Sequence, residues 1–178
     1  RTKTDLKLKP NSYLRTICTA PDGTEKPFSL RNYQVQMVLH LLAMQSFVVG
    51  DEMGLGKTVS AIAALSCLWE KNPNMRVIVL TTKSSAPQWI SELARFTYNV
   101  NTFLCVGTAA QRAKVRKQYE EATGPCVLVM GYRTAVQDYT ALQNYYDFVL
   151  ITDEATAYKN AETQIHQAVR HLAAKASR

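Results

Sequence analysis

Two short segments carry residues whose types and spacing could do chemistry. The first reads Gly50-Asp51-Glu52-Met53-Gly54-Leu55-Gly56-Lys57-Thr58. A triphosphate needs backbone N–H groups that approach its oxygens closely, which calls for glycine, and it favours the positive N-terminal end of a helix. Gly54 and Gly56 supply that freedom, Lys57 is placed to neutralise β- and γ-phosphates, and Thr58 to give its hydroxyl to Mg²⁺. The generic phosphate-loop pattern wants glycine five residues before Gly56, where this chain has Asp51. The competing reading is a glycine-rich strand-to-helix turn that holds no nucleotide.

The second segment is Asp153-Glu154-Ala155-Thr156, directly after an apolar run. An aspartate at the end of a hydrophobic strand, downstream of a phosphate loop, is the other requirement of nucleotide hydrolysis. Asp153 would hold Mg²⁺ through water, and Glu154 would polarise the attacking water as general base. By itself Asp153 could equally cap a helix. Together the two segments make ATP and Mg²⁺ the expected cofactors, with Lys57, Asp153 and Glu154 catalytic.

The elements that must position them follow from the apolar pattern. Short runs at Phe47–Val49, Val77–Leu80, Phe103–Val106, Val127–Met130 and Phe148–Ile151 are apolar throughout. They alternate with helical stretches at Lys57–Glu70, Pro87–Phe96, Ala109–Glu121 and Thr134–Gln143. That alternation predicts an α/β fold whose mostly parallel sheet is covered by helices on both faces. Ligands of such sheets bind beyond the carboxyl ends of the strands, where both segments lie. Upstream, Tyr33, Met37, Val38, Leu41, Leu42 and Met44 recur at helical spacing. Before them, alternation over Tyr13–Thr19 and the turn chemistry of Pro21-Asp22-Gly23-Thr24 predict a small β-hairpin leading to Phe28. The expected division is a basic arm with its hairpin over 1–29 and the ATP-binding domain over 30–178.

Composition bounds the partners. The 178 residues are 47% hydrophobic and 20% charged, as in folded globular chains, and no apolar run reaches membrane-spanning length. No membrane partner is expected. The formal charge of +7 favours polyanions, with basic residues crowded at the start and at Arg112, Lys114, Arg116 and Lys117. That later cluster reads mainly as a solvated helix face, with contact to nucleic acid as the alternative. Cys18, Cys67, Cys105 and Cys126 lack close pairing, which argues against zinc and for buried thiols in a reducing compartment. His40, His166 and His171 read as structural. The chain begins at Arg1 without methionine or secretory segment, as expected of a piece of a longer protein.

On these segments the chain resembles the first RecA-like lobe of superfamily 2 helicases, and within them the Snf2 group of DNA translocases. That group's phosphate loop characteristically reads as Asp51 to Thr58 do, aspartate included. Leu30-Arg31-Asn32-Tyr33-Gln34 resembles its adenine-recognising element, with the Gln34 amide suited to paired donor and acceptor contacts. Thr81 to Phe96 is similar to motif Ia, with Ser84, Trp89 and Glu92 at matching positions, and Gly131-Tyr132-Arg133-Thr134 resembles motif Ib. Lys159-Asn160 also matches. Asn32, Thr82, Arg133 and Thr156 depart from the usual proline, proline, acidic residue, and histidine or glutamine.

The resemblance covers Leu30 to about Arg178 and implies a fold, a partner and a limit. The fold is a RecA-like P-loop domain. The partner is nucleic acid, foremost double-stranded DNA, with Lys83, Ser84, Ser85, Tyr132 and Thr134 contacting its phosphates without reading sequence. Trp89 has a rival explanation in core packing with Ile90 and Leu93. The limit is a second RecA-like lobe, expected after Arg178, whose arginine stabilises transition-state charge by ~10³–10⁵ in rate. The isolated chain is therefore expected to bind ATP weakly, hydrolyse little, and work inside the cell, in cytoplasm or nucleus. The rival readings are a strand-separating DNA or RNA helicase, a non-hydrolysing nucleic-acid-binding lobe and, more distantly, a metabolic kinase.

Overall fold

The computed structural model describes residues 8–20, 22–46, 56–154 and 163–178. The chain divides into two compact units, Arg1–Pro73 with Glu92–Asn99, and Asn74–Ser91 with Val100–Arg178.

In the first unit the expected hairpin forms from β1 (Ile17–Thr19) and β2 (Glu25–Pro27), antiparallel with Cys18 opposite Lys26. Gly23 takes a positive φ of 82°, and Asp22 Oδ1 accepts from the Thr24 backbone N–H at 3.0 Å and from its hydroxyl at 2.6 Å. The segment before β1 is held as well: Tyr98 N donates to Tyr13 O at 2.8 Å, and the Arg15 guanidinium lies 4.3 Å over the Tyr98 ring. Helix α1 (Asn32–Ala43) and helix α2 (Lys57–Lys71) pack around Val38, Ala63 and Ala64, the two alanines leaving room for close approach. The predicted strand at Phe47–Val49 lies outside the described residues.

The second unit is built on a parallel sheet. Strands β3 (Arg76–Thr81), β4 (Asn101–Cys105), β5 (Cys126–Gly131) and β6 (Phe148–Thr152) lie in the order β4-β5-β3-β6. Val77 pairs with Val127 on one side and Val149 on the other. All six residues of β5 are buried, so both faces of the sheet are covered at its centre, which is why the runs are apolar throughout. Ile78, Leu80, Leu128, Met130 and Phe148 share one face and pack on Tyr119, Ala135, Val169 and Leu172 from the flanking helices.

Helix α3 (Ala86–Phe96) links β3 to β4, and α4 (Ala109–Glu121) links β4 to β5. Thr108 and Gln111 close a capping box on α4, satisfying two otherwise orphan donors. At its other end the Arg76 guanidinium donates to the carbonyls of Tyr119, Glu120 and Ala122. The stretch predicted as one helix over Thr134–Gln143 is two short ones, α5 (Tyr132–Gln137) and α6 (Tyr139–Leu142). The interruption falls at Asp138, whose carboxylate takes Arg112 Nη2 at 2.9 Å and also the Arg116 guanidinium. Those two arginines are therefore no solvated face: their side chains are only 11% and 13% exposed. Lys117 of the same cluster is exposed, 3.7 Å from Glu121. Helix α7 (Gln164–Lys175), not among the predicted elements, buries Ala168, Val169 and Leu172. Among the described residues no helix is long and apolar enough to cross a membrane.

Candidate functional site

The predicted site residues fall into two groups, one in each unit. In the first unit, Gly50 to Leu55, and with them the candidates Asp51, Glu52, Met53, Gly54 and Leu55, lie outside the described residues. Gly56 immediately precedes α2 with φ 74° and ψ 35°, a left-handed conformation that glycine adopts without strain. Lys57 and Thr58 are the first two residues of the helix, at its positive N-terminal end.

Gln34 is brought against that helix start. A Cβ added to Gly56 would lie 2.3 Å from Gln34 Nε2. The adenine-reading candidate thus lies against the residue that precedes α2, and a side chain there would have to displace the Gln34 amide. Gln34 is buried, and its Oε1 accepts from the Arg31 backbone N–H at 2.9 Å, which satisfies one donor at the start of α1. Its carboxamide oxygen is therefore oriented by Arg31, while the amide nitrogen faces Gly56.

In the second unit, the acidic pair follows β6. Asp153 N donates to Leu80 O at 2.9 Å, which carries the parallel ladder one residue past the strand. Both carboxylate oxygens of Asp153 are engaged: Oδ2 accepts from the Trp89 indole N–H at 2.8 Å, and Oδ1 from the Glu154 backbone N–H at 3.0 Å. Glu154 has φ 56°, a left-handed conformation that costs a non-glycine residue about 1–2 kcal/mol. Strain of that kind persists where neighbours over-determine the position. Here the neighbours are Asp153 Oδ1 on the backbone and Ser85, whose hydroxyl donates to Glu154 Oε1 at 2.7 Å.

The nucleic-acid candidates Lys83, Ser84 and Ser85 sit on the turn after β3, and Tyr132 and Thr134 at the start of α5, directly after β5. Lys83 and Ser84 are exposed, Ser85 and Thr134 half-buried. The two segments meet: a Cβ on Gly131, the last residue of β5, would lie 3.7 Å from Lys83 backbone atoms and 3.8 Å from Thr134 Oγ1. Tyr132 differs from the others. It is 4% exposed and its hydroxyl donates to Asp153 O at 2.6 Å, so it braces the acid instead of presenting a donor outward. Trp89 is 3% exposed, in line with core packing, yet its indole nitrogen holds Asp153. Sequence reasoning missed that bond, and the available signal was the polar atom carried by an otherwise apolar helix face.

Comparison with known proteins gives the same direction. A family model described as SNF2-related domain matches residues 32–177. The chain is 32% identical over 122 residues to Lymphoid-specific helicase of Homo sapiens, a stretch covering 66% of this chain and 15% of that protein. It is 30% identical over 152 residues to the ISWI chromatin-remodeling complex ATPase ISW1 of Saccharomyces cerevisiae, covering 82% and 13%. Among solved structures, the Sulfolobus solfataricus SWI2/SNF2 ATPase core in complex with dsDNA matches with a TM-score of 0.75 at 25% identity, over 97% of this chain and 32% of that one. The four-stranded parallel sheet flanked by helices is thus the expected RecA-like fold. The chain spans 13% and 15% of the length of the two curated relatives.

Proposed function

Because the chain belongs to the SNF2-related domain family, we propose that it is the ATP-binding lobe of a DNA-dependent ATPase that translocates along double-stranded DNA and remodels protein–DNA complexes. The observation that carries the reading is the acidic pair held at the end of β6, with Trp89 on Asp153 and Ser85 on Glu154. A matching core solved with double-stranded DNA supports the choice of polymer, and relatives named as a helicase and as a chromatin-remodeling ATPase support the motor activity.

In this reading Lys57 and the backbone of Asp51 to Gly56 bind the phosphates of ATP, and Gln34 with Arg31 reads the adenine. Thr58 and Asp153 would hold Mg²⁺, which supplies charge neutralisation of the phosphates. Glu154 takes the proton of the attacking water. Lys83, Ser84, Ser85 and Thr134 position the backbone of one DNA strand. A second RecA-like lobe in the whole protein supplies the remaining charge stabilisation, and its closure drives each translocation step. The whole protein works inside the cell, where its DNA lies.

The test is phosphate release by the whole protein alone and with duplex DNA, single-stranded DNA or RNA, with Lys57→Ala as control. Stimulation by duplex DNA that disappears in the Lys57→Ala protein is expected. A preference for single strands or RNA would replace translocation by strand separation. Release that is absent, or indifferent to Lys57, would leave a binding lobe without hydrolysis.

A further inference from the structure

Resting on that reading, we propose that Ser85 is the positioning residue through which DNA contact reaches the hydrolytic acid. Its one hydroxyl proton belongs to Glu154 until a backbone phosphate takes it.

The turn after β3 carries a chain of hydroxyls. Ser84 Oγ lies 3.0 Å from Thr82 Oγ1, Thr82 Oγ1 donates to Ser85 Oγ at 3.0 Å, and Ser85 Oγ donates to Glu154 Oε1 at 2.7 Å. Its outer end is the exposed Ser84 beside the exposed Lys83, whose charge draws phosphate. Its inner end is the carboxylate that must reach an attacking water. A serine hydroxyl has a single proton to donate. A phosphate oxygen that accepts it therefore leaves Glu154 without this bond, and the two acceptors compete.

Two other side chains that hold the acidic pair are buried and cannot respond in this way. Trp89 and Tyr132 are 3% and 4% exposed and hold Asp153, its carboxylate and its carbonyl respectively. Ser85 alone among these three partners lies on a turn with exposed neighbours. The left-handed backbone of Glu154 adds a reason for the bond to matter: its side chain leaves from an unusual backbone direction, and the Ser85 hydroxyl is one of the contacts that set where the carboxylate rests.

Competition of this kind is reciprocal, so it can be read without nucleotide. Duplex DNA affinity is measured on the whole protein for wild type, Glu154→Ala, Ser85→Ala and the double variant, with urea unfolding to confirm that each folds. Glu154→Ala frees the Ser85 proton and removes a negative charge, whereas in the Ser85→Ala background it only removes the charge. The gain in affinity is expected to be about fivefold or more larger when Ser85 is present. Ser85→Thr, which keeps the hydroxyl, should preserve that difference, and Ser85→Cys, a weak donor, should lose it. In phosphate release, Ser85→Ala should raise the rate without DNA and lower the ratio of stimulation by DNA. Equal gains in both backgrounds would overturn the coupling while leaving a DNA-stimulated, Lys57-dependent ATPase intact. Failure of that stimulation in the wild type would remove the functional reading and the coupling with it.

Discussion

The indole N–H of Trp89 points at Oδ2 of Asp153 across 2.8 Å, so a buried residue of α3 sets the direction of the acid that ends β6. With Glu154 N on Oδ1, both carboxylate oxygens are oriented by the protein itself. Trp89→Phe keeps most of the ring volume and removes the donor. It is expected to cost about 1.5–3 kcal/mol in urea unfolding, as for a hydrogen bond to a charged group. It should also raise the Mg²⁺ concentration needed for ATP hydrolysis by the whole protein. An unchanged Mg²⁺ titration would reduce Trp89 to a packing residue.

Gly56 combines a left-handed backbone with the Gln34 amide standing where a Cβ would lie. Gly56→Ala should therefore lose stability twice, by about 1–2 kcal/mol from φ alone and further from displacing the Gln34 amide. Gln34→Ala opens the space but gives up the cap on Arg31, at a cost of about 1 kcal/mol. The double variant should be more stable than the sum of the two losses, because the clash has then gone. Chemical denaturation of the four proteins measures this, and strict additivity would contradict the contact.

Asp138 gathers two guanidinium groups beneath the surface, with Cys105 Sγ 3.9 Å from its Oδ2. Removing one partner of a buried pair leaves the others uncompensated. Asp138→Ala should destabilise by about 3–5 kcal/mol, seen as a lower urea midpoint at unchanged slope. A loss under about 1 kcal/mol, the worth of an exposed pair, would mean that solvent reaches the cluster.

Commitment of Arg112 and Arg116 to Asp138 also divides the basic residues by role. Lys83→Ala should weaken duplex DNA binding evenly across sequences and lower the salt slope of the affinity by about one. Arg112→Gln should leave that slope alone. Affinity measured over a series of salt concentrations decides, and a slope lowered by Arg112→Gln would place α4 against DNA.

Elements whose residues answer to one local rule were legible in the sequence. Buried parallel strands are apolar throughout, so β3, β5 and β6 lie where the runs do, and α4 spans the predicted Ala109–Glu121. Helix α7 carries Ile165, Ala168, Val169 and Leu172 at helical spacing, and could have been read from the same pattern. What depended on distant partners was hidden. Nothing local in Thr134–Gln143 says that Asp138 turns toward α4, and the indole nitrogen in Ala86–Phe96 signals a polar partner without saying that it is a carboxylate sixty-four positions on. For the candidate site, residue types pointed to the two segments, while the bonds that orient them came from packing.

The cysteines give a last prediction, on pH. Burial pushes the thiols of Cys18, Cys67, Cys105 and Cys126 up, and at Cys105 the Asp138 carboxylate adds to the rise. Burial also raises the phenols of Tyr119 and Tyr145. The folded chain therefore holds these protons after the unfolded chain has begun to release them. Their contribution to stability is complete below the ordinary thiol pKa of about 8.5 and is lost as pH rises through the raised native values, with the tyrosines adding to the loss above about 10. The urea midpoint should fall steadily above pH ~8.5. At neutral pH a thiol reagent, which needs the thiolate, should label Cys105 and Cys126 only as fast as the chain opens. Labelling rates that follow the urea concentration would agree. A midpoint that climbs between about pH 8.5 and 10 would show that these groups ionise more readily in the fold than outside it.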